Sequence, residues 1–230
     1  MFDGNGNLRS RVDAVTEPVG RGLVKIGVGA DGLTFLGLIM SGVAAVAIAF
    51  GSLRIGLALL ILTAVPDLLD GAVAKAAGTT SLRGAFFDST ADRVTDAGLL
   101  GGIAYYLADT RDGRLAVLAF AVMAVSAIIS YERAKAELLG FEAKGGLMER
   151  AERMVVLGFG LAFDSLLVPV LWIMLVLTSI TAVQRFVKVW RQASQVHPAP
   201  TERLAASNAK RSERDAQRDA KRGARGSAGS

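Results

Sequence analysis

From Gly32 to Leu53 the chain carries no charged side chain. A helix crossing the hydrocarbon core of a bilayer needs about 20 predominantly apolar residues, and this run supplies them. Further apolar segments follow at Ile55–Lys75, Gly84–Ala108, Leu115–Leu139, Leu147 to just before Asp164, and Leu166–Trp190. The sequence therefore predicts an all-α integral membrane protein with six transmembrane helices. A hydrophobic content of 52% agrees, being high for a soluble domain. Polar breaks separate the segments: Asp109–Arg114 reads as a tight turn, and Phe141–Gly146 as a loop broken by Gly145-Gly146. Pro169 falls in the first turn or two of the sixth helix, where proline is tolerated.

Three regions follow: 1–30, 31–195 and 196–230. Residues 1–30 lack the apolar core and cleavage site of a secretory signal. Within them Val12, Val15, Val19, Leu23 and Ile26 recur every three or four residues, accompanied by Arg9, Arg11, Arg21 and Lys25. That pattern predicts an amphipathic helix lying on an anionic membrane surface, interrupted at Pro18; an ordinary solvated helix has the same spacing. Residues 31–195 form the membrane domain. Residues 196–230, rich in Ala, Arg, Lys, Ser, Asp and Gly, read as a disordered cytosolic tail. Much of the net charge of +5 lies in that tail, and no nucleic-acid partner is expected. Lys75, Arg83, Lys144, Arg150, Arg153, Arg185, Lys188 and Arg191 would share one side of the membrane, against Arg54, Arg111 and Arg114 on the other. The richer side is expected to be cytosolic, placing both termini there, in a multi-pass protein of the plasma membrane. Cysteine is absent, which excludes disulfides and thiolate chemistry.

Charged residues inside these apolar segments carry the functional information. Asp67 and Asp70 are spaced i,i+3, and Asp88 and Asp92 i,i+4, so each pair shares one helix face. The intervening A-A-G-T-T-S-L is short and small enough to reverse the chain and bring the two faces to one depth. Carboxylates in a membrane are costly and mark function. Four together raise one another's pKa unless a countercharge is present. A divalent cation supplies it, and oxygen-only ligands favour Mg²⁺ or Mn²⁺ over zinc. Gly71 and Gly84, lacking Cβ, let a ligand approach the backbone. Asp31 stands where a helix N-cap belongs.

The order Asp67-x-x-Asp70-Gly71-x-x-Ala74-Lys75, eight residues, then Gly84-x-x-x-Asp88-x-x-x-Asp92 resembles the signature of the CDP-alcohol phosphotransferase family. The single departure is Lys75, where the family usually has Arg; Lys keeps the charge but not the planar fork. The resemblance implies two divalent ions held by Asp67, Asp70 and Asp88, with Asp92 sharing the second and serving as general base. It implies a CDP-diacylglycerol site lined by Asp31, Thr34, Gly71, Ala74, Lys75 and Gly84, and a homodimer in membrane lipid.

A second polar group follows the fourth segment. Ser130, Arg133 and Glu137 share a helix face, Glu149-Arg150-x-Glu152-Arg153 opens the fifth segment, and Arg185 lies in the sixth. Several cations around one interfacial cavity suit a phosphate; any one of them alone could equally be a positive-inside residue paired locally with Glu. Ile129-Ser130-Tyr131, Ala134 and Ala136-Glu137, then Gly145-Gly146 with Glu149-Arg150-x-Glu152-Arg153, then Val183-Gln184-Arg185, are similar to the branch of the family that joins inositol 1-phosphate to CDP-diacylglycerol. By that resemblance Ser130, Arg133, Arg153 and Arg185 would hold the acceptor's phosphate, although Arg133 and Lys135 stand with residue types exchanged relative to the pattern. The implied products are phosphatidylinositol phosphate and CMP. Glycerol 3-phosphate is the alternative acceptor, since it also carries a phosphate. A small cation transporter is a more distant reading, because it needs neither the two glycines nor the arginines.

Overall fold

A computed structural model describes residues 22, 29–77, 81–196, 208–209 and 211–212; of 65–72, 74–77 and 196 it describes the backbone alone. The expected N-terminal amphipathic helix, apart from Gly22, and nearly all of the tail therefore lie outside the described residues. The described residues contain no strand. They form six helices: α1 Ala30–Ala49, α2 Leu53–Ala77, α3 Leu82–Thr110, α4 Ala116–Leu138, α5 Arg150–Ala162 and α6 Asp164–Val196, with a short 3₁₀ turn, Gly113–Leu115, before α4.

The helix boundaries have local causes. At the end of α1, Gly51 adopts φ +81°, its N–H donates to the Ile48 carbonyl at 2.9 Å, and Ser52 N–H donates to the Ala47 carbonyl at 2.8 Å. This left-handed C-terminal cap turns the chain straight into α2. Ser81 starts α3, its hydroxyl accepting the Gly84 N–H at 3.0 Å. The N-cap of α1 is Gly29, not Asp31, which instead sits in the first turn, where a carboxylate is favoured by the helix dipole.

Among the described residues, three elements are long and apolar enough to cross a bilayer: Ala30–Ala49, Gly113–Leu138 and Asp164–Gln195; Leu53–Ala64 is a shorter apolar stretch. The α3 helix, though 29 residues long, carries Arg83, Asp88, Asp92, Arg93 and Asp96 in its first half. The α5 helix differs from the expected fifth segment. It begins at Arg150 rather than near Leu147 and has 13 residues, a length of about 20 Å at about 1.5 Å per residue.

Packing in the first helix is inverted relative to a water-soluble bundle. Its buried face is Leu33, Thr34, Gly37, Ser41, Ala44 and Ile48, mostly small or hydroxyl-bearing. Its exposed face includes Phe35, Leu36, Ile39, Val43 and Val46. Small residues let backbones approach, which suits helix association in lipid. The α1 helix packs against α2 and α3, and at Gly102 an added Cβ would collide with the Ala45 carbonyl of α1. Ser41 Oγ and Thr95 Oγ1 are hydrogen-bonded at 3.1 Å across the same buried contact. The core continues through Leu99, Ile103 and Leu107 of α3, Val122 of α4, Leu157 and Leu161 of α5, and Leu167, Leu171 and Met174 of α6. Bulky side chains also face outward on α4 and α6, among them Phe120, Trp172, Ile173 and Val176.

At the end where α3 finishes and α6 begins, Asp164 accepts from Tyr106 Oη at 2.9 Å and pairs with Arg111 at 2.7 Å. At the opposite end the 139–149 loop is fastened along the second half of α6. Glu142 exchanges two backbone hydrogen bonds with the Gln192 amide, at 2.9 and 2.7 Å, Lys188 donates to the Lys144 carbonyl at 2.9 Å, and Met148 N–H donates to Thr181 Oγ1 at 3.0 Å. This second end carries the candidate site.

Candidate active site

The first turns of α1 and α3 meet at Asp31 and Arg83, paired at 3.4 Å with both side chains exposed. Gly84 lies against the same carboxylate: a Cβ there would stand 3.5 Å from Asp31 Oδ1. Thr34, one turn further into α1, is buried and donates to the Ala30 carbonyl at 3.2 Å. Three residues expected at the nucleotide site thus come from two neighbouring helix starts. Of the other expected nucleotide and metal residues, Asp67, Asp70, Gly71, Ala74 and Lys75 lie on α2, where only the backbone is described.

Asp88 and Asp92 follow on α3, one turn apart and half-buried. Asp92 pairs with Arg150 Nη1 at 2.8 Å and with Arg93 at 3.6 Å. A small cleft beside it is lined by Thr34, Gly37, Leu38, Thr63, Ala91, Asp92, Thr95 and Arg150. The donors that α1 and α3 bring here are carboxylate and hydroxyl oxygens, the kind a hard divalent ion takes, and among the described residues no three acidic side chains stand close enough to hold one.

One turn beyond Asp92 stands Asp96, 5% exposed. It accepts from Arg153 Nη2 at 3.0 Å and from Arg150 Nε at 3.4 Å. A carboxylate this deep is stable only when paired and hydrogen-bonded, and two guanidiniums meet that need. The Arg153 side chain is itself 3% exposed and also donates to the Met148 carbonyl at 3.4 Å. Arg185 is 4% exposed. It donates to the Ile129 carbonyl at 2.9 Å and the Gly145 carbonyl at 3.1 Å, and pairs with Glu149 at 3.3 Å. Glu132, Arg133 and Arg153 all lie within electrostatic reach of Arg185.

The four residues expected to hold an acceptor phosphate are therefore distributed unequally. Arg153 and Arg185 sit in one buried cluster with protein partners. Arg133 is half-exposed and paired with Glu137 at 2.9 Å along its own helix. Ser130 Oγ donates to the Ser126 carbonyl at 2.9 Å. Sequence reasoning gave no role to Asp96, yet its signal was present: with Asp88 and Asp92 it completes an i, i+4, i+8 face.

A helical bundle with bulky apolar side chains outside, and carboxylates facing arginines at one end, has the build of an enzyme acting on a lipid phosphate. Residues 28–190 match the CDP-alcohol phosphatidyltransferase family, and the chain belongs to it. The chain is 32% identical to the phosphatidylinositol phosphate synthase of Mycobacterium marinum over 79% of its own length and 82% of that protein's. It is 35% identical to the enzyme of the same name from Streptomyces avermitilis, covering 89% of this chain and 88% of that one. Among solved structures, phosphatidylinositol phosphate synthase of Mycobacterium tuberculosis with CDP-DAG bound superposes with TM-score 0.73 at 32% identity, over 77% of this chain and 94% of that one. The same enzyme in complex with manganese and citrate gives TM-score 0.72 at 31% identity, over 76% and 88%.

Proposed function

We propose that this chain transfers the phosphatidyl group of CDP-diacylglycerol to a hydroxyl of inositol 1-phosphate, releasing CMP and forming phosphatidylinositol phosphate. The observation that carries the reading is the 2.8 Å pair between Asp92 and Arg150. It joins the acid face of α3 to the arginine cluster, so that phosphate and hydroxyl of one acceptor can be served from adjoining sides. The names of the relatives in Mycobacterium and Streptomyces support the choice of acceptor.

Asp67, Asp70, Asp88 and Asp92 would hold two divalent ions, Mg²⁺ or Mn²⁺; the manganese complex of the tuberculosis enzyme supports a divalent metal. When bound, such ions stabilise charge developing on a leaving phosphate. Asp31, Thr34, Gly71, Ala74, Lys75 and Gly84 would line the cytidine diphosphate. Asp92 would take the proton of the acceptor hydroxyl as general base. Arg153 and Arg185, with Ser130 and Arg133 at the margin, would orient the acceptor by its phosphate. The protein would be a homodimer of the plasma membrane with six crossing helices, its N-terminal segment on the interface and the site facing the cytosol, where soluble inositol phosphate can enter. Radiolabelled CDP-diacylglycerol, offered to purified protein with inositol 1-phosphate and glycerol 3-phosphate in parallel, tests this. Labelled phosphatidylinositol phosphate is expected, and product from glycerol 3-phosphate alone would overturn the acceptor.

A further inference from the structure

Asp92, Arg150, Asp96 and Arg153 form one chain of alternating charge, with contacts of 2.8, 3.4 and 3.0 Å. Its second carboxylate, Asp96, touches two arginines on the first turn of α5 and is almost fully buried. We propose that Asp96 is a positioning residue: it fixes the Arg153 guanidinium for the acceptor's phosphate and holds Arg150 between itself and Asp92. This rests on the acceptor reading given above.

An arginine side chain has many rotamers, and holding it in one costs conformational entropy. A bond paid for before the ligand arrives leaves less to be ordered on binding. Arg153 spends one N–H on Asp96 and one on the Met148 carbonyl. A guanidinium has five such donors in a fixed fork, so anchoring two of them sets the direction of the others. Arg150 is held the same way from two sides, by Asp92 and Asp96 one turn apart on α3. No other described carboxylate pairs with Arg153. Neutralising Asp96 would leave Arg153 with only a carbonyl partner and would remove one of the two carboxylate contacts that hold Arg150 from α3.

The experiment is a double-mutant cycle on the full-length enzyme, with Asp96→Asn, Arg153→Lys and the pair, and with Asp96→Glu as the conservative variant. KM for inositol 1-phosphate and KM for CDP-diacylglycerol are measured separately, and thermal unfolding in detergent is followed for each protein. Asp96→Asn is expected to raise acceptor KM about tenfold, since charged hydrogen bonds of this kind carry about that factor, with CDP-diacylglycerol KM changed less than about threefold. In the Arg153→Lys background the same substitution should add less than it does in wild type, because the part of its effect that travels through the Arg153 fork is already lost. Asp96→Glu should recover part of the acceptor KM. Full additivity, an unchanged acceptor KM, or an equal rise in both KM values would overturn the proposal and leave the acceptor reading intact. If Asp96→Asn does not fold, the cycle is run with Asp96→Glu alone, and additivity there overturns it equally. Wild-type protein that turns over neither inositol 1-phosphate nor glycerol 3-phosphate would overturn the acceptor reading, and this proposal with it.

Discussion

Arg150 Nη1 lies 2.8 Å from Asp92 Oδ1, while Nε of the same guanidinium lies 3.4 Å from Asp96 Oδ1. One planar fork thus spans two carboxylates a helical turn apart, tying the start of α5 to the acid face of α3. A lysine in its place would keep the charge but engage the two acids poorly, having no rigid fork. Arg150→Lys is expected to lower kcat/KM at least about tenfold, the worth of one charged hydrogen bond, measured by steady-state kinetics on protein with an unchanged melting profile.

The acid quartet makes a sharper demand. Asp67→Asn, Asp70→Asn and Asp88→Asn should each abolish turnover, because each removes a ligand charge from a site built of oxygens. Asp92→Asn should also inactivate, with weaker loss of metal-dependent thermal stabilisation. Turnover and melting temperature, each measured with and without added Mg²⁺ or Mn²⁺, separate the two effects.

Lys75 is the one position at which the signature departs from the family's Arg. Lys75→Ala is expected to raise KM for CDP-diacylglycerol, and Lys75→Arg to match or lower it by restoring the fork. Initial rates over a range of CDP-diacylglycerol concentrations, at fixed acceptor, provide the comparison.

Packing is tested away from the chemistry at Gly102, where a Cβ would collide with the Ala45 carbonyl. Backbone cannot yield as a flexible side chain can, so Gly102→Ala should cost about 1–3 kcal/mol as overpacking. Thermal unfolding in detergent should show a clear fall in melting temperature.

Much of this fold was legible because its breaks are chemical. The Asp109–Arg114 turn and the Phe141–Gly146 loop are polar or glycine-bearing between apolar runs, and the observed helices stop at Thr110 and Leu138. The late start of α5 was not legible: the Met148 N–H is taken by the Thr181 hydroxyl, a partner far along the chain. Asp31 read as an N-cap by residue type, but backbone geometry gives that place to Gly29. The burial of Arg153 and Arg185 was hidden for a related reason. A cationic side chain looks solvent-seeking in sequence, and only the fold supplies Asp96, Glu149 and the Ile129 carbonyl as partners. Asp96 itself lay in plain view at helical spacing from Asp92, but its two arginines come from another helix.

The proposed reaction depends on a phosphate-bearing acceptor meeting buried arginines beside an acid face. The most direct measurement compares inositol 1-phosphate with free inositol at saturating CDP-diacylglycerol, in wild type and in Arg185→Ala. Wild type should convert inositol 1-phosphate and leave free inositol essentially untouched, since without its phosphate the acceptor forfeits charged hydrogen bonds worth about 1.5–3 kcal/mol each. Arg185→Ala should lose about tenfold to a hundredfold in acceptor affinity by the same figure, with CDP-diacylglycerol KM little changed. Efficient conversion of free inositol by wild type, or an Arg185→Ala enzyme with unaltered acceptor KM, would contradict it.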